Sequence, residues 1–471
     1  MLPYAALPMS TGSTTRLASH DDAPGSLARQ IQSLAERVRA VGEVKPGSFV
    51  RVEVGVDNLD SGSRDFGNLD FFAWLRGAPV GARRYFRDRS TKLEFASVGV
   101  ATTAAFGAHA SLAQIAVGGG EPRAAAWFVA LPFDAARRRD AAWEPFTAVG
   151  CVLPAIELRR EQETTTLAAH IASDTDRAKL LADLAALVTP CDACVIEPAL
   201  VRESDGGGEA EWTRAVRGAL ERIRSGAMRK LVLARTRRYA ASGALDPVAV
   251  LARLSAREAR GFRFLIEVAP GRAFLGVTPE RLVSRSGRTA RSEAVAGTRP
   301  RGVDGVADRL LGESLLASAK DRREHEFVVE RVREALASCA SSLRLDPEPR
   351  LLRLAYVQHL ATRVHADLRA GTNDADLVRL LHPTPAVAGA PVADAIEALR
   401  EFEPFDRGLY AGPVGVASRD GAEIAVAIRS ARIEGDMLTA FAGAGIVEGS
   451  DPAEEWRETG HKLLAFERLA T

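Results

Sequence analysis

The chain changes its period repeatedly, and never in a regular order. Phe49-Val-Arg-Val-Glu-Val54 alternates apolar and polar residues, and so does Leu93-Glu-Phe-Ala-Ser-Val-Gly-Val100. That is the period-two pattern of strands with one face buried, and it persists from Phe49 to about Leu153. Leu231–Tyr239, Phe262–Val268 and Ala273–Val277 are further strands, the last two turning at Pro270-Gly271. Ile424–Ile433 and Met437–Phe441 predict a hairpin around Glu434-Gly-Asp436. Helical spacing interrupts them. Leu27, Ile31, Leu34 and Val38 share one face, as do Trp212, Val216, Ala219 and Ile223 within Glu211–Arg224. Thr165–Val188 and Val306–Ser341 read as one helix each, and Ser450-Asp-Pro452 opens the last, with acids at its positive end. Strands and helices mixed without βαβ alternation predict an α+β fold with antiparallel sheet.

The 471 residues allow one large domain or several smaller ones. Residues 1–26 are rich in Ser, Thr, Pro and Gly and read as a disordered tail, with Met9 an alternative start. They lack the apolar stretch of a signal peptide, so the cytoplasm is the expected location. Asp57–Gly67 and Gly118–Gly120 supply turns, and Ser204-Asp-Gly-Gly-Gly208 separates an N-terminal half, 27–203, from a C-terminal half, 209–471. No apolar run approaches the length of a membrane span. The formal net charge of +1 gives no electrostatic footprint for nucleic acid. Cys191-Asp-Ala-Cys194 has no second pair or His cluster at zinc-site spacing and reads as two ordinary thiols.

Only six of the 62 basic residues are lysine: Lys45, Lys92, Lys179, Lys230, Lys320 and Lys462. Arg cannot give up its proton in a protein, whereas a buried Lys can, so each retained Lys is a candidate for work that Arg cannot do. Glu455, Glu458 and Lys462 fall on one face of the last helix, and Lys320, Asp321 and Glu324 cluster on another helix. Each set alone reads as a solvated salt-bridge stripe. Together, two acid-bearing helices facing each other would suit Mg²⁺, a hard ion that keeps several waters. Glu280 leaves a strand beside Pro279, and Ala296-Gly-Thr298 and Ala442-Gly-Ala-Gly445 read as Gly-bearing turns whose amides could approach an anion.

These residues carry a resemblance. Lys230-Leu-Val-Leu-Ala-Arg235, Phe274-Leu-Gly-Val-Thr-Pro-Glu-Arg281, Ala296-Gly-Thr-Arg-Pro-Arg-Gly302, Ser318-Ala-Lys-Asp-Arg-Arg-Glu-His325 and Val357-Gln-His-Leu360 come first. Leu381-His-Pro-Thr-Pro-Ala-Val387, Arg407-Gly-Leu-Tyr-Ala-Gly-Pro-Val-Gly415, Val426-Ala-Ile-Arg429, Ala442-Gly-Ala-Gly-Ile-Val447 and Glu455-Trp-Arg-Glu-Thr-Gly-His-Lys462 follow in order. Over 209–471 the sequence resembles the chorismate-utilising enzymes, which include anthranilate, aminodeoxychorismate, isochorismate and salicylate synthases. It is most similar to menaquinone-type isochorismate synthases. Phe71-Phe-Ala-Trp74 to Asp88 and Phe95–Ala101 resemble their early strands. The resemblance implies one large α+β fold with two antiparallel sheets surrounded by helices, to which the N-terminal half adds strands and helices.

It also implies chemistry in which a nucleophile adds at C2 of chorismate while the C4 hydroxyl leaves. By family pattern Glu280 is the acid at the leaving oxygen and Lys230 the base. Glu324 and Glu458 hold Mg²⁺, with Glu455 and Asp321 one turn before them orienting its waters. Tyr410 and Arg429 hold the enolpyruvyl carboxylate. Gly297, Thr298 and Gly443 offer backbone amides, His359 sits near a substrate oxygen, and Lys462 reaches a carboxylate. Lys230 stands where ammonia users carry a non-basic residue. Ala296 stands where aminodeoxychorismate synthases carry a nucleophilic Lys. Water is therefore the expected nucleophile, and no glutamine amidotransferase subunit is expected. The reading is a Mg²⁺-dependent isochorismate synthase, a monomer or homodimer, with no nucleic-acid or membrane partner. Thr278-Pro-Glu280, where the salicylate branch tends to carry Ser-Pro-Glu, and the long N-terminal half lean the same way. Two alternatives stay open: a bifunctional salicylate synthase, which goes on to eliminate pyruvate, and a non-catalytic, Arg-rich binding protein on this scaffold. The pathway served, whether menaquinone, siderophore or salicylate, stays open too.

Overall fold

Phe264 and Ile266 leave their strand on one face and Leu265 on the other, and this alternation divides the core in two. The computed structural model describes residues 26–56, 70–79, 81–107, 113–115, 124–137, 140–146, 150–187, 199–258 and 260–469. Among them are two large sheets. The first core cluster lies between the sheets, where Phe95, Phe264 and Phe274 of one meet Phe128, Val283 and Val414 of the other. The second covers the outer face of the larger sheet, where Val52, Leu158, Leu265 and Leu275 meet Leu34 and Val38 of the helix Ser26–Ala40, Leu251 of Pro247–Arg257 and Leu463 of Pro452–Glu467. Each such side chain, fully buried, contributes roughly 1.5–3 kcal/mol.

The larger sheet has thirteen strands among the described residues. It runs from Leu200–Asp205 through Lys230–Ala241, Met437–Ile446, Ser430–Glu434, Arg272–Thr278 and Phe262–Ala269 to Arg83–Arg87. It continues through Leu93–Val98, Ile156–Glu161, Thr164–Ala172 and Ser48–Gly55 to Ala113–Ile115, which pairs parallel with its neighbour. The ten-stranded sheet includes Val357–Leu368, Thr289–Pro300, Arg281–Ser286, Gly421–Val426, Pro413–Ala417 and Trp127–Ala130. Both sheets therefore hydrogen-bond strands from the N-terminal half to strands from the C-terminal half, at Arg83–Arg87 on Phe262–Ala269 and at Trp127–Ala130 on Pro413–Ala417. The α+β architecture with two essentially antiparallel sheets is as the sequence predicts. No described helix is long and apolar enough to cross a membrane.

Several elements differ from the sequence reading. Phe71–Gly77 is a helix and not an early strand: the Asp70 carboxylate accepts the Phe72 amide at 2.8 Å as an N-cap, and Phe71, Trp74 and Leu75 are buried on one side. Thr165–Val188 is not one helix. Thr164–Ala172 is a strand paired on both edges, and a helix, Arg177–Ala186, follows the Asp176 cap. The β-branched Thr run tips the balance. The long helix over Val306–Ser341 is two, Gly305–Ala317 and Ala319–Ala337, broken where extended Ser318 caps the second through the Asp321 amide; Ala340–Leu345 is already strand. Ile424–Ile433 is also two elements. Gly421–Val426 belongs to the smaller sheet and Ser430–Glu434 to the larger, and the chain crosses over at Arg429, whose φ is +52°. Ser204–Gly208 leads from the strand Leu200–Asp205 into the helix Gly208–Arg224. Residues 1–25, Asp57–Gly67, Gly118–Gly120 and Cys191/Cys194 lie outside the described residues.

Candidate active site

A cleft of about 250 Å³ opens at the ends of both sheets, and it collects every site residue that the sequence singled out. Lys230, Glu280, Gly297, Thr298, His359, Tyr410, Arg429, Gly443 and Lys462 line it, with Asp321, Glu324, Glu455 and Glu458 on the wall made by two helices. Lys230 is the first residue of Lys230–Ala241, 2 % exposed, and its ammonium donates to Glu324 Oε1 at 2.7 Å. Gly445 makes this pair sterically admissible. A Cβ there would stand 2.9 Å from Lys230 Cε and 3.1 Å from Glu324 Oε1. The sequence places Ala296-Gly-Thr298 and Ala442–Gly445 in turns, but both lie within strands. Gly297 instead forms a bulge at φ +73°, where the register against Val357–Leu368 slips by one residue.

Glu280 enters at the corner between Arg272–Thr278 and Arg281–Ser286. Thr278 Oγ1 donates to the Val426 carbonyl at 2.6 Å, and the Val426 amide donates to the Glu280 carbonyl at 3.0 Å, so the corner is tied to the smaller sheet. The carboxyl is 5 % exposed and accepts from Thr384 Oγ1 at 3.4 Å. Burial pushes it up to about 7, against the opposing pull of that hydrogen bond and of Lys230 and Lys462. Glu280 therefore holds a proton near neutrality while a solvated carboxyl does not. Burial, reinforced by the Glu458 charge, likewise takes Glu455 up to about 7, and Ser450 Oγ donates to it at 2.7 Å. Glu458 goes the other way. Burial raises it, but Lys462, bonded at 2.7 Å, and the positive charge of Lys230 act together against burial and hold it below the usual carboxylate range.

Lys462 also donates to the Gly443 carbonyl at 2.8 Å, tying the last helix to the strand Met437–Ile446. Arg299 takes both oxygens of Asp321, at 2.7 and 3.4 Å. His359 Nδ1 lies 3.1 Å from the Gly297 carbonyl, which can only accept, and 3.1 Å from Thr298 Oγ1, which can accept as well as donate, so a proton on Nδ1 is the assignment that suits both partners. Burial, with Arg429 and Lys462 nearby, takes the ring down to about 3. Its Nε2 is then a lone-pair acceptor with no protein partner among the described residues, on a ring that lines the cleft. Arg429 is itself desolvated, burial lowering its guanidinium. It has no ion pair among the described residues, which leaves it for an anionic ligand. Tyr410 stacks on Phe441 at 5.1 Å and 17°, and burial pushes its phenol up to about 12. The sequence reading did not single out Thr384 for the acid or Gly445 for the Lys230 pair; both lie within quoted motifs, but their roles depend on contacts across the fold.

The acids on the two helices offer only hard oxygen donors, the chemistry of Mg²⁺. Among the described residues no three acids, His or Cys converge as a ready-made metal cage. An ion that keeps most of its waters needs only one or two protein carboxylates, so the donor set fits.

Comparison with known proteins agrees with the geometry. The family described as chorismate binding enzyme matches residues 57–469. The isochorismate synthase MenF of Bacillus subtilis is 34% identical over 342 residues, 71% of this chain and 72% of that protein. The salicylate biosynthesis isochorismate synthase of Pseudomonas aeruginosa is 37% identical over 343 residues, again 71% and 72%. The solved structure of MenF, the menaquinone-specific isochorismate synthase from Escherichia coli, superposes with a TM-score of 0.82 at 27% identity, covering 95% of this chain and all of that one.

Proposed function

The chain belongs to the chorismate-binding enzymes, and from that premise we propose that it is a Mg²⁺-dependent isochorismate synthase, an isomerase that adds water at C2 of chorismate and expels the C4 hydroxyl, reversibly. The observation that carries this reading is the pairing of a buried amine, Lys230, with a buried carboxyl, Glu280, that keeps its proton near pH 7. Glu280 donates that proton to the departing hydroxyl, and Lys230 takes one from the incoming water. To do so Lys230 enters the reaction as the neutral amine, the proton that its ammonium holds on Glu324 Oε1 having first passed to solvent. Arg429 and Tyr410 hold the enolpyruvyl carboxylate, Gly297, Thr298 and Gly443 line the path of the ring, and His359 Nε2 accepts from a substrate hydroxyl. Glu324 and Glu458 would hold Mg²⁺, with Glu455 and Asp321 orienting its waters; the bound ion supplies charge neutralisation at the ring carboxylate. Ala296, with no amine to offer, supports water over a covalent amine intermediate.

The test is incubation of purified protein with chorismate and Mg²⁺ near neutral pH, followed by early-time chromatography. Isochorismate approaching an equilibrium mixture with chorismate is expected. Equal amounts of salicylate and pyruvate from the first minutes would identify a bifunctional salicylate synthase. No turnover would leave a binding protein on this scaffold.

A further inference from the structure

Behind the Glu280 corner lies a charged cluster that the reaction scheme does not use. Glu293, on Thr289–Pro300, is buried, and three guanidiniums surround it: Arg89 at 2.7 Å to both oxygens, Arg350 at 3.3 Å and Arg281 at 3.5 Å. Arg281 is turned further to Glu423, at 2.7 Å. Arg89 is the outlier by origin. It sits in the hairpin turn between Arg83–Arg87 and Leu93–Val98, in the N-terminal half. That turn is fixed by the Asp88 carboxylate on the Leu93 amide at 3.0 Å, and the Arg89 guanidinium packs over Phe262 at 5.4 Å. Its other nitrogen donates to the Pro279 carbonyl at 2.9 Å.

That carbonyl belongs to the peptide joining Pro279 to Glu280. We infer that Arg89 is a positioning residue for the acid: anchored through one nitrogen on both oxygens of Glu293, it grips the Pro279 carbonyl with another and fixes the peptide plane from which the Glu280 carboxyl enters the cleft. The remaining restraints on that corner, Thr278 and Val426, come from the C-terminal half. Arg89 adds a restraint from the N-terminal half, so the hairpin Arg83–Val98 contributes to catalysis and not only to the sheet. A small displacement of a catalytic group is enough to cost one to two powers of ten in rate. The cluster also bears on the acid's charge. Glu280 faces Lys230 from its strand, Lys462 from the last helix, Tyr410 from the turn above and Glu293 from behind. Arg89 offsets the last of these.

This inference rests on the reading of Glu280 as the acid, and the experiment separates the two. The wild type should show a rate that falls on the alkaline side, and Glu280→Gln should remove most of the turnover. If the wild type has no turnover, that reading fails and this inference with it. Given the limb, Arg89→Met, which keeps an unbranched apolar stem but removes the guanidinium, should lower kcat roughly 10- to 100-fold with little change in KM. It should move the alkaline limb to higher pH, because Glu293 is left less compensated. Arg89→Lys should restore part of kcat. Glu293→Gln, isosteric and a safeguard if the Met variant folds poorly, should move the limb to lower pH. Opposite shifts are not a signature of general loosening. Unchanged kcat and limb in both Arg89→Met and Glu293→Gln, with only the melting temperature lowered, would overturn the inference.

Discussion

A carboxyl that hands a proton to a leaving hydroxyl at neutral pH has to retain it where exposed carboxyls have lost theirs. Glu280 does so through burial, at about 7 against an ordinary 4.5. Two consequences follow at this residue. Turnover should fall as pH rises through 7, and Glu280→Gln should lose about 10²–10⁴-fold in chorismate consumption, as should Lys230→Arg, which keeps the charge but offers no neutral amine. Near-wild-type turnover of Lys230→Arg would remove Lys230 from the base role. The second consequence concerns stability. A folded value above the unfolded one favours the folded state at low pH, in full below about 4.5, and that contribution is lost as pH rises through 7. Glu280→Gln should therefore raise the melting temperature relative to wild type more at pH 8 than at pH 5, read by calorimetry at both. At the metal, Glu324→Ala and Glu458→Ala should each weaken Mg²⁺ and chorismate binding together in titration calorimetry. An unchanged Mg²⁺ dependence in both would contradict their assignment.

At the scale of elements, two glycines in strands make opposite predictions. A Cβ on Gly445 meets the flexible ends of Lys230 and Glu324, so Gly445→Ala should fold normally and lose most of its activity. A Cβ on Gly415 would stand 2.1 Å from the Glu423 carbonyl and 2.8 Å from Ile424 Cα, backbone that cannot swing aside. Gly415→Ala should cost about 3 kcal/mol, measured by denaturant unfolding. Lys230–Ala241 and Phe262–Thr278 were legible as apolar runs bounded by turn residues, and Gly208–Arg224 and the last helix by the one face that each buries. Periodicity could not separate Gly421–Val426 from Ser430–Glu434. Both read as strand, and what divides them is their pairing with different sheets across the Arg429 crossover. Nor could it see that Ser318 prefers capping a new helix to continuing the old one. The site residues were readable as motifs. Their partners were not: Thr384 on Glu280 and Arg299 on Asp321 are separated by 104 and 22 residues, and only the fold brings them together.

At the scale of the molecule, the two halves share both sheets and the core between them, although every residue that lines the cleft comes from the C-terminal half. Residues 209–471 expressed alone would expose the apolar edges of Phe262–Ala269 and Pro413–Ala417. They should aggregate or show no cooperative melt. A soluble, cooperatively melting 209–471 would show the half to be self-sufficient. The central claim is that this cleft directs water to C2 of chorismate as the C4 hydroxyl leaves, and isotope labelling reads it most directly. Chorismate and Mg²⁺ incubated with the protein in H₂¹⁸O, sampled early by mass spectrometry, should give isochorismate carrying one heavy oxygen at C2. Isochorismate without the label, or no isochorismate at all, would contradict the account.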